Sequence, residues 1–170
     1  MAQQLEYILQ AWSAYVDGFP KIGSGEKAAT PKFKKKMEDY RGGGMLATRQ
    51  ISLGYEAFEL ALDFSEYDPQ VIAQCGLFTK KDVSLTVRGH FDGDSNTPHT
   101  GILQCRGEFK EINPDDWEAG KKAGLKTMAA LSKLKLTMDS TVIYDVDIKA
   151  NVYVFGNEDA GAAIRASLGF

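Results

Sequence analysis

Four groups of residues in this chain have types and spacings that chemistry could use. The first is Arg41-Gly42-Gly43-Gly44-Met45, a glycine run beside a cation. A phosphate-cradling P-loop needs Lys-Ser or Lys-Thr after its last glycine, so that the lysine reaches the phosphates. Met45-Leu46 stand there instead, and three glycines in a row read as backbone that turns sharply. The second group is Asp115, Asp116 and Glu118 in NPDDWEAG. Paired carboxylates can hydrolyse glycosides, and calcium takes a larger set of spaced oxygen ligands. Neither pattern is complete, so the segment reads as a polar surface loop carrying Trp117.

The third group is Cys75 and Cys105 with His90 and His99, the chain's only cysteines and histidines. Two distant cysteines make neither a zinc site nor a disulfide framework. Both are expected to be small buried apolar residues. No Gly-x-Ser-x-Gly elbow occurs, and neither histidine stands beside a nucleophile motif. The residues therefore point to no enzyme, no metal and no cofactor. The fourth group is Lys32-Phe33-Lys34-Lys35-Lys36, followed by Tyr40-Arg41. Such a run could hold nucleic acid through phosphates and stacking. It reads more readily as an exposed strand or arm with a solvated lysine face. A net charge of -3 and a pI near 5.4 weigh against a dedicated nucleic-acid binder.

The elements that must position these residues are mostly strands, because the strongest periodicity is two. Phe58, Leu60, Leu62 and Phe64 alternate with Glu59, Ala61 and Asp63. Val83, Leu85, Val87 and Phe91 alternate with polar residues, with Gly89 in the apolar phase. Leu103, Cys105, Gly107 and Phe109 form a third run, Leu134, Leu136 and Met138 a fourth, and Val142, Tyr144, Val146 and Ile148 a fifth. Each run buries one face and wets the other, as antiparallel sheets on a core do. Phe91–Thr100, reading FDGDSNTPHT, is expected to be an exposed hairpin loop. Met138–Thr141 is expected to be a tight turn, although Asp139-Ser140 is weaker than the Asp-Gly that a two-residue hairpin prefers. Asp68-Pro69 caps and starts a helix that should stop at Gly76. Asp159–Leu168 is a second candidate helix, opening at a capping aspartate.

At 170 residues and 18.7 kDa the chain is sized for one domain with a real core. No internal repeat or low-complexity linker divides it. No apolar run approaches the roughly 20 residues a membrane-crossing helix needs. The start, MAQQLEYILQAWSAY, lacks the pattern of a signal peptide, so folding in a cytoplasm is expected. Charge is uneven. Residues 21–49 carry eight basic and three acidic side chains, while residues 50–120 carry five basic and thirteen acidic ones. Such a split could give one small domain oppositely charged faces, which favour head-to-tail association with copies of itself, and it reads equally as an unevenly charged solvated surface.

Pro31–Gly54, reading PKFKKKMEDYRGGGMLATRQISLG, is similar to the signature of the major tail tube proteins of contractile-tailed phages and R-type bacteriocins. The matching residues are Pro31, Lys32, Lys36, Glu38, Tyr40, Arg41, Gly43, Gly44 and Met45. Asp17-Gly18-Phe19 resembles that family's opening hairpin. Arg106-Gly107 through Asp116-Trp117 and Gly120-Lys121 resembles its middle strand and acidic loop. Lys135–Asp139, Tyr144–Asp147 and Ala166–Gly169 resemble its final third. The chain departs from the pattern at Lys133-Leu134, where aromatics are usual, at Asp139-Ser140, and in the loop 22–30.

The resemblance implies a mainly β fold: two packed antiparallel sheets forming a barrel-like sandwich with one or two short flanking helices. It implies one domain over 1–170, with a projecting loop at about 30–46. It implies rings of six copies, stacked helically as the rigid inner tube of a contractile tail, with a channel that passes DNA or other cargo without binding it. Expected partners are other copies, the tail sheath, the baseplate or tube initiator, the tape-measure protein and the tail terminator. The expected location is a virion tail or extracellular contractile particle assembled in the host cytoplasm, with no membrane insertion by this chain. Lys34, Lys36, Glu38, Tyr40, Arg41, Gly42, Gly43, Gly44 and Met45 are the candidate inter-ring contacts. Glu59, Asp63, Asp145 and Asp147 are candidates for an acidic channel lining. The alternatives are the tube of a bacterial contractile secretion or bacteriocin machine and, more distantly, a small β-barrel that binds nucleic acid.

Overall fold

A computed structural model of the chain describes residues 5–79 and 81–169. The chain opens with strands β1 (Ile8–Val16), β2 (Phe19–Lys21) and β3 (Gly25–Ala29), then β4 (Lys35–Tyr40), β5 (Arg49–Tyr55) and β6 (Glu59–Phe64). Helix α1 (Pro69–Cys75) leads to the long strands β7 (Val83–Asp92), β8 (His99–Pro114) and β9 (Leu125–Met138). Strands β10 (Thr141–Asp147), β11 (Val152–Phe155) and β12 (Glu158–Asp159) and helix α2 (Ala162–Leu168) complete it.

Ten strands share one antiparallel hydrogen-bond network in the order β12-β11-β10-β9-β8-β7-β1-β2, with β3-β6 attached to β9 as a branch. β9 makes this possible. Its first half, Leu125–Ala130, pairs with β6, and its second half, Lys133–Met138, pairs with β10 on the same edge. A bulge near Leu131 separates the two halves. There the buried phase shifts from Leu125, Ala129 and Leu131 to Leu134. The sheet thereby splits and folds over its own core as a barrel-like sandwich. The core is built from the alternating apolar phases of β6, β7, β8, β9 and β10 together with Ala14 and Val16 of β1.

The turns show why this chain closes its hairpins where it does. Asp17 and Gly18 both have positive φ (50° and 86°), as do Asp139 and Ser140 (46° and 71°). Positive φ at both central residues matches the twist of antiparallel strands. At the second turn the Asp139 carboxylate accepts hydrogen bonds from the Thr100 backbone N–H (2.8 Å) and from His99 Nδ1 (2.5 Å). These contacts stand in for the missing glycine.

Helix α1 forms as the sequence indicates. Asp68 accepts from the backbone N–H groups of Gln70 and Val71, Pro69 starts the helix, and Gly76 ends it at φ 54°. Val71 and Cys75 plug one end of the core. Helix α2 is shorter than expected and is not capped by Asp159. Gly161 occupies the cap position, and Asp159 lies in β12, where its carboxylate binds Arg165 (2.5 Å) and the Gly161 N–H (2.9 Å). The aspartate is used in the strand ladder before the helix begins.

Candidate assembly interface

The basic, glycine-rich segment forms a hairpin that stands apart from the body. β4 and β5 pair only with each other, as a separate two-stranded sheet. Every residue of both strands is exposed. The projection is longer than the expected loop at 30–46, because the return strand Arg49–Tyr55 belongs to it. That strand was legible in principle: Ile51, Leu53 and Tyr55 alternate with Gln50, Ser52 and Gly54.

The hairpin's base is anchored. Phe33 packs on Phe58, Tyr144 and Phe155 at ring-centroid distances of 5.3, 4.8 and 5.0 Å. Tyr55 stacks on Tyr153 at 5.9 Å. Lys34 and Glu56 close the neck twice, through a 2.9 Å ion pair and a backbone bond from the Glu56 N–H to the Lys34 carbonyl.

The tip has its own small fold. The Arg41 side chain donates through Nε to the Met45 carbonyl (3.1 Å), and the Met45 N–H donates to the Gly42 carbonyl (3.2 Å). The Gly42 N–H meets Met45 Sδ at 3.2 Å, and Gly44 sits at φ 83°, where a side chain would be strained. These contacts bring Arg41, Gly42 and Met45 into one turn that leaves Leu46 97% exposed. Cross-strand register places Glu38 opposite Ile51 and Tyr40 opposite Arg49, so these four share one face. The Arg49 guanidinium lies 5.5 Å over the Tyr40 ring. Lys36 is exposed at the bulge between Lys35 and Met37, and Gly43 is exposed at the tip.

Charge pairing sharpens the picture. Among the described residues, most lysines and arginines of the body are paired within the chain. Of the described cations without an ion-pair partner, Lys32, Lys35, Lys36, Arg41 and Arg49 lie in the hairpin and its approach, and Lys27, Arg88 and Lys149 lie in the body. The sequence alone did not reveal this sorting, since it depends on which strands lie side by side. A hairpin bearing exposed Tyr40, Leu46, Ile51 and Leu53 together with unpaired cations is a surface built to be covered.

The candidate lining residues Glu59, Asp63, Asp145 and Asp147 lie on the polar faces of β6 and β10, half-buried. They do not form an acidic row. Asp145 pairs with Lys135 and Asp147 with Lys133, each at 3.3 Å, and Glu59 pairs with Lys110. Asp63 stands in register between Lys27 and Lys126. Burial pulls the Asp147 carboxyl upward, but the Ala150 N–H and Lys133 outweigh it and hold the group below the usual carboxylate range.

The remaining sequence candidates are structural. Asp115 pairs with Lys126 (3.2 Å) and Glu118 with Lys121 (2.6 Å), and Trp117 stands edge-on to Tyr67. Cys75 and Cys105 are buried, and burial pushes both thiols up to about 12.

Residues 6–169 match the model of the phage tail tube protein FII family. The chain is 24% identical over 143 residues to the tail tube protein of Escherichia phage P2, covering 82% of this chain and 83% of that one. It is 28% identical over 147 residues to the major tail tube protein of Serratia phage KSP20, covering 85% of each. Its fold is similar to a chain in the cryo-EM structure of the PVC sheath/tube terminator in the extended state, from an extracellular contractile injection system. That match has a TM-score of 0.58 and 10% identity over 80% of this chain and 99% of the other. A chain in the baseplate of the anti-feeding prophage matches with a TM-score of 0.53 and 11% identity, over 81% and 92% of the two chains.

Proposed function

Because this chain belongs to the phage tail tube protein FII family, we propose that it builds a contractile tail's inner tube as rings of six copies stacked around an open channel. It is a structural tail tube protein rather than an enzyme. It belongs to a phage tail or a related contractile particle, and its partners are other copies, the sheath, the baseplate or initiator, the tape-measure protein and the terminator. Assembly takes place in the host cytoplasm.

The observation that carries this reading is the isolated hairpin. A two-stranded ribbon is marginal in water by itself, and this one exposes apolar side chains and unpaired cations. Lys34, Lys36, Glu38, Tyr40, Arg41 and the turn through Gly42, Gly43, Gly44 and Met45 are its inter-ring contacts. Open sheet edges support ring closure, because unpaired edge groups call for a partner strand. A heterologous contact with sixfold rotation closes into a ring, and a second contact stacks rings into a filament.

Glu59, Asp63, Asp145 and Asp147 contribute to the channel lining as members of mixed-charge pairs. Such a lining is close to neutral and gives DNA no basic track to bind, so the cargo slides. The test is negative-stain electron microscopy of the purified protein, together with its mass by light scattering. Hollow rings or tubes are expected. A monomer at every concentration that instead binds DNA, with affinity falling steeply as salt rises, would overturn the reading.

A further inference from the structure

One methionine closes the turn at the hairpin tip three times over. The Met45 N–H donates to the Gly42 carbonyl at 3.2 Å, and the Met45 carbonyl accepts from Arg41 Nε at 3.1 Å. Its Sδ accepts from the Gly42 N–H at 3.2 Å. Among the described residues this is the one hydrogen bond made by a sulfur atom. No hydrogen bond or ion pair among those residues ties 41–48 to the body, so the turn depends on these local contacts.

A thioether is a weak acceptor and a ready target for oxidation. Met45 is half-buried, and Arg41, Gly43, Gly44 and Leu46 around it are all exposed, so solvent reaches the turn. The sulfur itself is crowded on the Gly42 side. A Cβ at Gly42 would stand 3.5 Å from Met45 Sδ and 3.1 Å from the Tyr40 hydroxyl, so sulfur and phenol both press on that residue. At 3.2 Å the Gly42 nitrogen and the sulfur are in direct contact, and no oxygen atom fits between them.

We propose that Met45 is a site of reversible oxidation and that its sulfoxide opens the turn. The oxidant is hydrogen peroxide. A sulfur lone pair attacks one peroxide oxygen, the O–O bond breaks and an S–O bond forms. Sulfur gives up two electrons and the peroxide takes them. The second oxygen leaves as water, carrying away the proton of the transferred one. The reverse step needs a dithiol, which removes the oxygen as water and becomes a disulfide. With oxygen on the sulfur, the Gly42 N–H loses its contact with Sδ, and the chain from 42 to 45 widens. Gly43 and Gly44 yield easily and β4 and β5 pair only with each other, so the change stays in the tip. The inference stands apart from the tube reading, because it is read in a single subunit.

Met37 is the internal control. It is exposed on β4 of the same hairpin, and its sulfur accepts no hydrogen bond from a described residue.

The experiment treats monomer of the full-length chain, isolated by gel filtration, with graded hydrogen peroxide. Peptide mass locates the added oxygen, and NMR follows amide exchange. Met45 should gain one oxygen, and the Gly42 and Met45 amides should then exchange about tenfold faster, the scale of one lost turn hydrogen bond. Amides of β8 and β9 should not change. Methionine sulfoxide reductase with a dithiol should restore the slow exchange. Met37→Leu should respond as the native chain does. Met45→Leu should exchange fast at Gly42 without peroxide, respond no further to it, and keep the native melting temperature. Sulfoxide at Met45 with undiminished protection of Gly42 would overturn the proposal. Met45 that stays reduced while Met37 converts would overturn it too, as would a peroxide response that survives in Met45→Leu.

Discussion

At the scale of single residues, the pair that matters most to the fold is Lys21 with Asp68. Lys21 is only 7% exposed, and its ammonium meets the carboxylate that caps α1 and also Gln70 Oε1 at 3.0 Å. Burial raises the Asp68 carboxyl's pKa. Lys21 and the backbone N–H groups of Val71 and Gln70 more than reverse this, so the group ends below its ordinary value. A carboxyl whose folded pKa is depressed adds stability that is complete above its unfolded pKa and is lost as pH falls through the folded one. Asp68→Asn keeps a side chain able to cap the helix but strands the buried lysine charge. It should cost about 3 kcal/mol or more at pH 7 by thermal or denaturant melts. The gap from the native protein should narrow as the pH drops below about 4. An undiminished gap at pH 3 would contradict the assignment. The capping aspartate and its proline were readable in the chain. The partner was not, because Lys21 lies far away in sequence, at the end of a three-residue strand.

At the scale of elements, the hairpin and the body should behave as separate bodies. β8 and β9 pair with each other along most of their length, and β9 also holds β6 and β10. Their amides should exchange with deuterium only through global unfolding, while those of β4 and β5 exchange through local opening. Stacking should protect the hairpin amides. Equal protection of β4 and β9 in the free subunit would show that the hairpin is not independent. The sequence showed the five regular alternations and the first helix plainly, since each has one wet and one dry face. It hid β1, whose run ILQAWSAYV has exposed Ile8 and Leu9 beside buried Ala14 and Val16. It also hid the first half of β9, because the bulge shifts the apolar phase and the stretch TMAAL is small-residue rich. An alternation test assumes an unbroken register, and a bulge breaks it.

At the scale of the whole molecule, charge is sorted rather than merely uneven. Among the described residues, the body pairs most of its cations internally, while the hairpin and its approach leave all but Lys34 without an ion-pair partner. Association that relies on these groups is screened by salt, with a Debye length near 10 Å at 0.1 M and about 3 Å at 1 M. The assembled mass measured by light scattering should therefore fall as salt is raised, while the melting temperature of the subunit changes little. Mass that is indifferent to salt would assign the contact to apolar burial alone. The segment totals in the sequence pointed toward this polarity. They did not show which cations are spoken for within the chain, because that depends on which strands lie side by side.

The neck of the hairpin has a mechanical consequence. Both of its strands enter the body side by side, clasped by Lys34 and Glu56 and wedged by Phe33 and Tyr55 into the aromatic side chains of β10 and β11. A pull on the tip is thus divided between two covalent paths. One runs back through Pro31 toward β3, the other forward through Phe58 into β6, and the two strands are hydrogen-bonded to each other. Neither strand can be peeled away singly. A linkage that shares tension between paired strands resists being drawn out, and the load on its tip enters the body by two routes at once.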